Sequence, residues 1–384
     1  MSQFQLSAEH EAIRSAVREF GEQEIRPVAD EHEAEHRYPH DLLREAARYD
    51  LVAPHVPEEY GGAGMDTLGS LVVDEELWYA DPGVGGSIAA AAFGSEMLLK
   101  YGEEWMREKW LPRVTAGETP IATAISEPAH GSNVVGMETR AERASGPAGD
   151  EYVIHGNKMW ITNGTVADVM VIMAKTDPDV GHRGITAFLT PTDVEGIRAE
   201  RITNKLGIRA MDTAELVFDG LRVPEENVVG EVGEGFYQLM EFFAPARAAV
   251  AAQSVGVAQA ALDASVEYAN EREQFDRPIA EFQAIRHKLA EMATSVEAAR
   301  SLAYRAGSAI ESGDDREATR LASMAKLFCS EHAVDVTDEA IQVHGGAGYV
   351  SDHPVERFYR DARITKIYDG TSEIQKNIIA DGLL

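Results

Sequence analysis

Three patterns of apolar and polar positions follow one another along the chain. Over residues 1 to about 120 the spacing is helical. Ala12, Val17, Phe20 and Ile25 begin an apolar face interrupted by charges, and Asp41-Leu42-Leu43 opens a further helix after Pro39. PEEYGGAGMD (Pro57 to Asp66) is a glycine-rich turn between helices. It does not follow a strand, so its glycines give little support to a dinucleotide loop. Small apolar residues fill 83 to 100, ahead of a helix that reaches Trp110. From about 121 to 225 the period shortens. Ile121–Ile125, Tyr152–Ile154, Val169–Ala174, Ile185–Leu189 and Ala214–Phe218 are short apolar or alternating runs, separated by the turn-forming segments SGPAGD, HGNK, TDPDVGHRG and DGLRVP. This pattern predicts an antiparallel sheet domain, since the 10–15-residue helices that a parallel doubly wound sheet needs are missing. From about 230 long helices return. Phe282, Ile285, Leu289, Met292, Val296, Ala299 and Ala303 step by threes and fours along one seam, as in a bundle of antiparallel helices. Gly313-Asp314-Asp315 turns into another helix that stops at Gly345-Gly346. The predicted organisation is a helical domain over 1–120, a β domain over 121–228 and a helical bundle over 229–384.

Composition narrows the function classes. At 384 residues and 44% hydrophobic content the chain can bury several cores. No run of about 18 apolar residues occurs and the N-terminal stretch lacks an apolar signal core, so a cytoplasmic protein without membrane insertion is expected. The one cysteine, Cys329, excludes an internal disulfide and lies in an apolar helical stretch that suggests packing. Acidic residues number 65 against 35 basic ones, for a net charge of −30, and lysine supplies only nine of the basic residues. Acid spread along the whole chain argues against a nucleic-acid partner. It suggests a salt-rich, halophilic setting: at about 1 M salt the screening length shrinks to roughly 3 Å and most of the self-repulsion vanishes.

Two short motifs invite chemistry. His32-Glu33-Ala34-Glu35-His36 matches HExxH, but it sits among charges near Pro39 without a third ligand, so a solvated helix end is expected rather than a metal site. Tyr368 to Gln375, YDGTSEIQ, places a carboxylate, Asp369, and a flexible Gly370 just ahead of an apolar helix. Ser372 and Gln375 have capping-box spacing. The acid is therefore expected on a tight turn beside a helix N-terminus, where free N–H groups and a positive dipole end collect.

PEEYGG, SEP…GS, KMWITNG, REQF…FQ, QVHGGAGY and YDGTSEIQ stand in order along the chain. Together they resemble the acyl-CoA dehydrogenase family over essentially the full length. The resemblance implies an α-helical domain, a central β-barrel-like domain and a C-terminal four-helix bundle, with bound FAD and a homotetramer built as a dimer of dimers. It also implies flavin contacts from Thr123, Ile125, Ser126, Ser132, Trp160, Ile161 and Thr162, and from Thr371, Ser372 and Glu373. Arg272, Gln274, Phe275, Gln283, Gln342, Val343, Gly345 and Gly346 match positions that reach the FAD of a neighbouring subunit. Arg247, Ser132 and Gly370 match substrate-side positions. A planar indole suits a flavin ring, an arginine fork suits a pyrophosphate, and paired glycines let backbone N–H groups close on phosphate.

The implied reaction converts an acyl-CoA of short, medium or branched chain to a trans-2-enoyl-CoA, as in fatty-acid β-oxidation. A carboxylate removes the α-proton, the β-hydrogen leaves as hydride, and an electron-transfer flavoprotein receives the electrons. The usual base in the last motif is Glu; here it is Asp369. The alternative position before the bundle arginine is Ala246, and Glu241 lies off that register. An Asp base also resembles nitroalkane oxidase, and a flavin-binding scaffold without turnover is a further alternative. Ala244, Ala129-His130 and Asn133 depart from the family pattern, and the absence of arginine from 87 to 92 disfavours a dicarboxylic substrate.

Overall fold

The computed structural model describes residues 6–146 and 149–384. Met1–Gln5 lie outside the described residues, as do Pro147 and Ala148 in the middle of the expected SGPAGD turn.

The N-terminal third folds as α1 (Ala8–Phe20), α2 (Ala29–Glu35), α3 (His40–Ala47), α4 (Thr67–Ala80), α5 (Val84–Ala89), α6 (Ser95–Tyr101) and α7 (Glu104–Thr115). Local chemistry starts these helices: the Ser7 hydroxyl accepts from His10 N at 3.2 Å, and Asp66 caps α4 by accepting from Gly69 N at 2.7 Å. α4 is apolar on nearly every side because it lies between the other helices and the bundle; Val72, Val73, Leu77 and Trp78 are all buried.

The middle of the chain forms one curled seven-stranded sheet of β1 (Ile121–Ala124), β2 (Arg140–Gly146), β3 (Gly149–Thr162), β4 (Val169–Lys175), β5 (Ile185–Pro191), β6 (Ile197–Arg201) and β7 (Thr213–Pro224). The order is β1-β4-β2-β3-β7-β6, with β5 on β4. The expectation of an antiparallel sheet needs correcting at one edge, where β1 pairs with β4 in parallel and β2 meets β4 in parallel at a single register position. The link from β1 to β4 is long enough to cross over because β2 and β3 lie within it. β2 and β6 were not visible as apolar runs, since their burial is intermittent. β4 is buried along its length for a different reason. Val169, Val171 and Met173 face the core of the N-terminal helices, whereas Met170, Ile172 and Ala174 face the interior of the curl.

The last third contains α8 (Gly235–Glu271), a small hairpin of β8 (Glu273–Gln274) and β9 (Arg277–Pro278), α9 (Gln283–Glu311), α10 (Asp315–His344), α11 (Val355–Ala362) and α12 (Ser372–Asp381). α8, α9 and α10 pack on one another, α11 and α12 lie along α10, and α4 closes the bundle against α8. The expected seam on α9 is buried from Met292 onward, whereas Phe282, Ile285 and Leu289 pack in a smaller cluster with Ile279 and Val343. Asp314 caps α10, and Gly345, at φ 60°, ends it. Cys329 is buried and donates to Ala299 O at 3.3 Å, in keeping with a packing role.

Candidate active site

The acidic turn lies between α11 and α12, against the middle of α8 and α10. Asp369 (φ 51°) and Gly370 (φ 91°) are consecutive left-handed residues, a conformation Asp tolerates better than most side chains. Side chains hold the turn from behind. Gln375 Nε2 donates to Asp369 O at 3.1 Å and Gly370 O at 2.8 Å, and Lys326 Nζ donates to Gly370 O at 2.8 Å. At φ 91° a side chain at residue 370 would be strained, and its Cβ would stand 2.6 Å from Gln375 Nε2 and displace that anchoring amide. The expected Ser372–Gln375 capping box is not formed. Two left-handed residues delay the helix, so the cap is Thr371, whose Oγ1 accepts from Ile374 N at 3.4 Å. Ser372 becomes the first helical residue and donates to Glu331 Oε1 at 2.6 Å, inside the bundle.

Charge around the turn is uneven. Burial pushes the half-buried Asp369 carboxyl up to about 6, against the pull of Lys326 and Arg247, while Glu96 adds to the rise. Burial in turn lowers Arg247 to about 10 and Lys326 to about 8, and the Asp369 charge opposes both shifts. Burial and charge account for the Asp369 shift; among the described residues no hydrogen-bond donor contributes to it. The carboxylate is therefore available to take a proton. Glu241 is engaged elsewhere, with Lys100 and Tyr101 at the surface, and Ala246 carries no acid, so neither competes as a base.

A second group of expected residues lies at the sheet rim. The β3–β7 ladder slips between Lys158 and Ile161, and within that bulge Trp160 takes φ 66°, rare for a bulky residue. The bulge sends the indole outward, 59% exposed, while Lys158 before it and Ile161 after it turn inward. Ile161 packs in the sheet core, so of the three residues only Trp160 and Thr162 offer side chains outside it. The bulge is anchored twice. Met159 N donates to Ser126 O at 2.9 Å, and buried Lys158 donates to Ile125 O at 2.9 Å and Glu127 Oε1 at 3.0 Å. Burial alone would raise Glu127, but Lys158 and the N–H groups of Glu138 and Thr139 hold it below its ordinary value. Thr123 Oγ1 donates to Phe93 O at 2.8 Å and Asn163 Nδ2 to Ala90 O at 2.9 Å, fastening the rim to the loop between α5 and α6. Phe93 meets Phe242 edge-on, and Arg247, whose charge acts on Asp369, lies over the Phe243 ring. Ser132 is exposed on the loop before β2, and Thr371 and Glu373 lie at the mouth of α12.

Arg272, Gln274, Phe275, Gln283, Gln342, Val343, Gly345 and Gly346 form a separate group. The β8–β9 hairpin folds against the end of α10 through Ala269, Ile279 and Val343, which brings these positions together. Phe275 stands at the hairpin tip, 87% exposed with φ 54°, and a Cβ on Gly345 or Gly346 would touch nothing within 4 Å.

HExxH behaves differently from expectation. His32 and Glu33 are buried rather than solvated, and Glu33 joins Arg360 at 2.6 Å and Arg209 N at 3.2 Å. Among the described residues no cluster of three His, Cys, Asp or Glu could hold a metal. A shallow concavity of about 530 Å³ lies over β2 and β3 beside Glu127, Arg140 and His155, away from Asp369.

Sequence reasoning missed Lys326, the part Gln375 plays in holding the turn, and the Glu127–Lys158 pair. Lys326 left a trace as a lone cation in the apolar stretch Ala322 to Cys329.

The geometry agrees with relationship. The acyl-CoA dehydrogenase N-terminal, middle and C-terminal domain models match residues 7–118, 122–221 and 233–384. The chain is 40% identical over 382 residues to the mitochondrial short-chain specific acyl-CoA dehydrogenase of Bos taurus, covering 99% of this chain and 91% of the relative. It is 38% identical over 379 residues to the 3-(aryl)acrylate reductase of Clostridium sporogenes, covering 98% of both. Butyryl-CoA dehydrogenase from Megasphaera elsdenii superposes with a TM-score of 0.93 at 35% identity, over 99% of both chains. A chain solved in work on the electron transferring flavoprotein of Acidaminococcus fermentans gives 0.94 at 36%, over 100% of this chain and 99% of that one. The protein belongs to the acyl-CoA dehydrogenase family and is a flavin-dependent oxidoreductase. Its cofactor is FAD; a Mycobacterium smegmatis glutaryl-CoA dehydrogenase, with TM-score 0.91, 29% identity and coverage of 98% and 95%, was solved with FADH2. The residues here fit such a group, because an uncovered indole on a strained bulge offers a planar ring a face to stack on. No described helix is long and apolar enough to cross a membrane.

Proposed function

We propose that the protein dehydrogenates an acyl-CoA thioester across its α and β carbons, with Asp369 as the base. The observation that carries this reading is the Asp369 carboxyl itself, half-buried on a left-handed turn that Lys326 and Gln375 hold, with no donor bonded to it among the described residues; burial pushes it up to about 6, suited to general-base work near neutral pH. Its backbone N–H is the donor that would polarise the thioester carbonyl and so acidify the α-carbon. Lys326 and Gln375 hold the turn, and Arg247 supplies fixed positive charge beside the nascent enolate. Bound FAD would supply the two-electron oxidation that loss of the β-hydrogen requires. Trp160 and Thr162 would hold the ring, with Thr123, Ile125, Ser126, Ser132, Thr371, Ser372 and Glu373 around it. Arg272, Gln274, Phe275, Gln283 and the Gln342–Gly346 turn would serve a cofactor bound across a subunit interface. The uncovered Phe275 and Tyr349 support a homotetramer assembled through that face.

Domain limits of 1–120, 121–228 and 229–384 accompany this reading. So do a role in β-oxidation and electron delivery to an electron-transfer flavoprotein, which the relation to the Acidaminococcus chain favours.

The test is anaerobic bleaching of the holoenzyme flavin by a panel of C4 to C16 and branched acyl-CoAs, with Asp369→Asn and Asp369→Glu beside the wild type. The Asn variant should lose at least about 10²-fold in rate, the scale of removing a positioned base. Full retention by Asn would transfer the role to another group. Bleaching by a nitroalkane alone would favour the oxidase reading, and bleaching by neither ligand a scaffold. The Glu variant reports whether the turn compensates for the missing methylene, since about 1 Å of misplacement can cost 10²-fold.

A further inference from the structure

On the outer face of the sheet, three strands line up a row of basic side chains. Arg140 on β2 is in register with Lys175 on β4 and with His155 on β3. Their chain neighbours Ala141, Ala174 and Ile154 pack in the sheet interior, so the three basic side chains share the outward face. Two strand spacings of about 4.8 Å put the ends of the row roughly 10 Å apart. Two hollows meet at Arg140: the concavity of about 530 Å³, which His155 also lines, and a neighbour of about 400 Å³, which Lys175 lines. Like charges side by side across strands repel. Although the chain holds 65 acids, neither Arg140 nor Lys175 has a carboxylate within 4.0 Å or a side-chain hydrogen bond among the described residues. The acids that share the hollows are engaged or stand apart. Glu127 pairs with Lys158, Glu138 faces His130 at 3.8 Å, and Glu142 is exposed. His155 Nδ1 accepts from Gly220 N at 3.2 Å and stands 3.7 Å from Asp219, which leaves the Nε2–H to donate.

We propose that Lys175, Arg140 and His155 form a phosphoryl-binding row that receives a nucleotide with phosphates at two positions, of the adenosine 3′,5′-bisphosphate kind. The guanidinium fork grips a phosphate bidentately, and the lysine adds a point charge. A single carboxylate would leave most of the row unanswered, and a polynucleotide would be repelled by the net charge of −30. Two sources share this chemistry. One is a free nucleotide. The other, resting on the acyl-CoA reading above, is the nucleotide end of the thioester. Asn133 Oδ1 accepts from Gly136 N at 3.2 Å, so the loop that carries Ser132 turns directly into the wall of the smaller hollow.

The experiment titrates the FAD-loaded enzyme with adenosine 3′,5′-bisphosphate by calorimetry and measures KM for butyryl-CoA and butyryl-pantetheine. Arg140→Gln and Lys175→Gln should each weaken bisphosphate binding tenfold or more. Arg140→Lys should recover part of the loss, and Glu138→Gln, which removes a carboxylate from both hollows, should tighten binding. All three positions are exposed or half-buried, so these variants should fold. A rise in KM for butyryl-CoA alone in the glutamine variants at 140 and 175 assigns the row to the thioester. Weaker bisphosphate binding with both KM values unmoved assigns it to a free nucleotide. A wild type that ignores the bisphosphate, or binding unmoved in both of those variants, overturns the inference while leaving acyl-CoA dehydrogenation intact. Bisphosphate binding that persists while no thioester in the C4 to C16 panel bleaches the flavin overturns the acyl-CoA reading and keeps the row as a free-nucleotide site.

Discussion

On the proposed reading Asp369 takes a proton from carbon, and a carboxylate suited to that cannot also be the most comfortable one in the fold. Asp369 sits in a left-handed turn, out of bulk water, with its proton affinity raised from 3.8 to about 6. The sign follows directly. The group is charged, and able to act as base, above about pH 6, so flavin bleaching should fall as pH falls through that value. For stability the shift runs the other way: the cost of the buried charge is absent below 3.8 and complete above about 6. The Asp369→Asn protein should therefore melt no lower than the wild type at neutral pH. Lys326 is the most informative neighbour. It is wholly buried, bonds Gly370 O and pulls the Asp369 affinity down. Lys326→Met should move the pH midpoint of bleaching upward as well as slow the reaction, and Lys326→Arg should restore the midpoint in part. A drop in melting temperature with an unmoved midpoint would reduce Lys326 to a structural strut. The YDGTSEIQ motif made the acid legible beforehand. The capping detail was not, because Ser372 and Gln375 have the right spacing while the two left-handed residues that displace the cap leave no periodic signal.

Among the elements, β3 carries the site's geometry through an irregularity. Its ladder slips at Trp160, and the slip is held by the buried Lys158–Glu127 pair at 3.0 Å and by Met159 N on Ser126 O. Removing one partner of a buried pair leaves an uncompensated charge, which typically costs 3–5 kcal/mol. Lys158→Met should thus destabilise the protein by roughly that amount. It should also loosen the bulge, so that FAD dissociates more readily during dilution or gel filtration, read as lost absorbance near the flavin band. Retained flavin with unchanged melting would show that the backbone bond alone fixes Trp160. The apolar runs predicted β1, a part of β3, β4, β5 and the inner part of β7. They could not reveal β2 or β6, whose residues are mostly exposed, nor the parallel pairing of β1 with β4, which depends on chain crossover and not on alternation.

Across the whole molecule, charge works in two opposite ways. Buried acidic groups and arginines tie the three parts together. Asp81 accepts from Gly83 N and Val84 N and meets Arg357 Nε at 3.1 Å, Glu33 meets Arg360, and Asp361 accepts from Ile208 N at 2.5 Å. This network explains why HExxH, read as a solvated helix end, is instead a junction between α2, α11 and the loop before β7. The chain as a whole, at −30, repels itself across its surface. The unfolding midpoint should accordingly rise between dilute buffer and about 1 M KCl, where the screening length contracts to roughly 3 Å. A flat or falling midpoint would detach the acidic composition from any benefit of salt.

From the residues in order one could obtain the helix–sheet–helix organisation, the family, the cofactor class and the acid in the final motif, since each is written in local periodicity or in a short motif. Distances between parts of the chain far apart in sequence were beyond that reach. That Lys326 lies behind Gly370, that Glu33 grips Arg360, and that Tyr368 reaches Gln253 are results of packing α2, α8, α10 and α11 together. Burial and neighbouring charge, which set the proton affinity of Asp369, exist only once those helices have met.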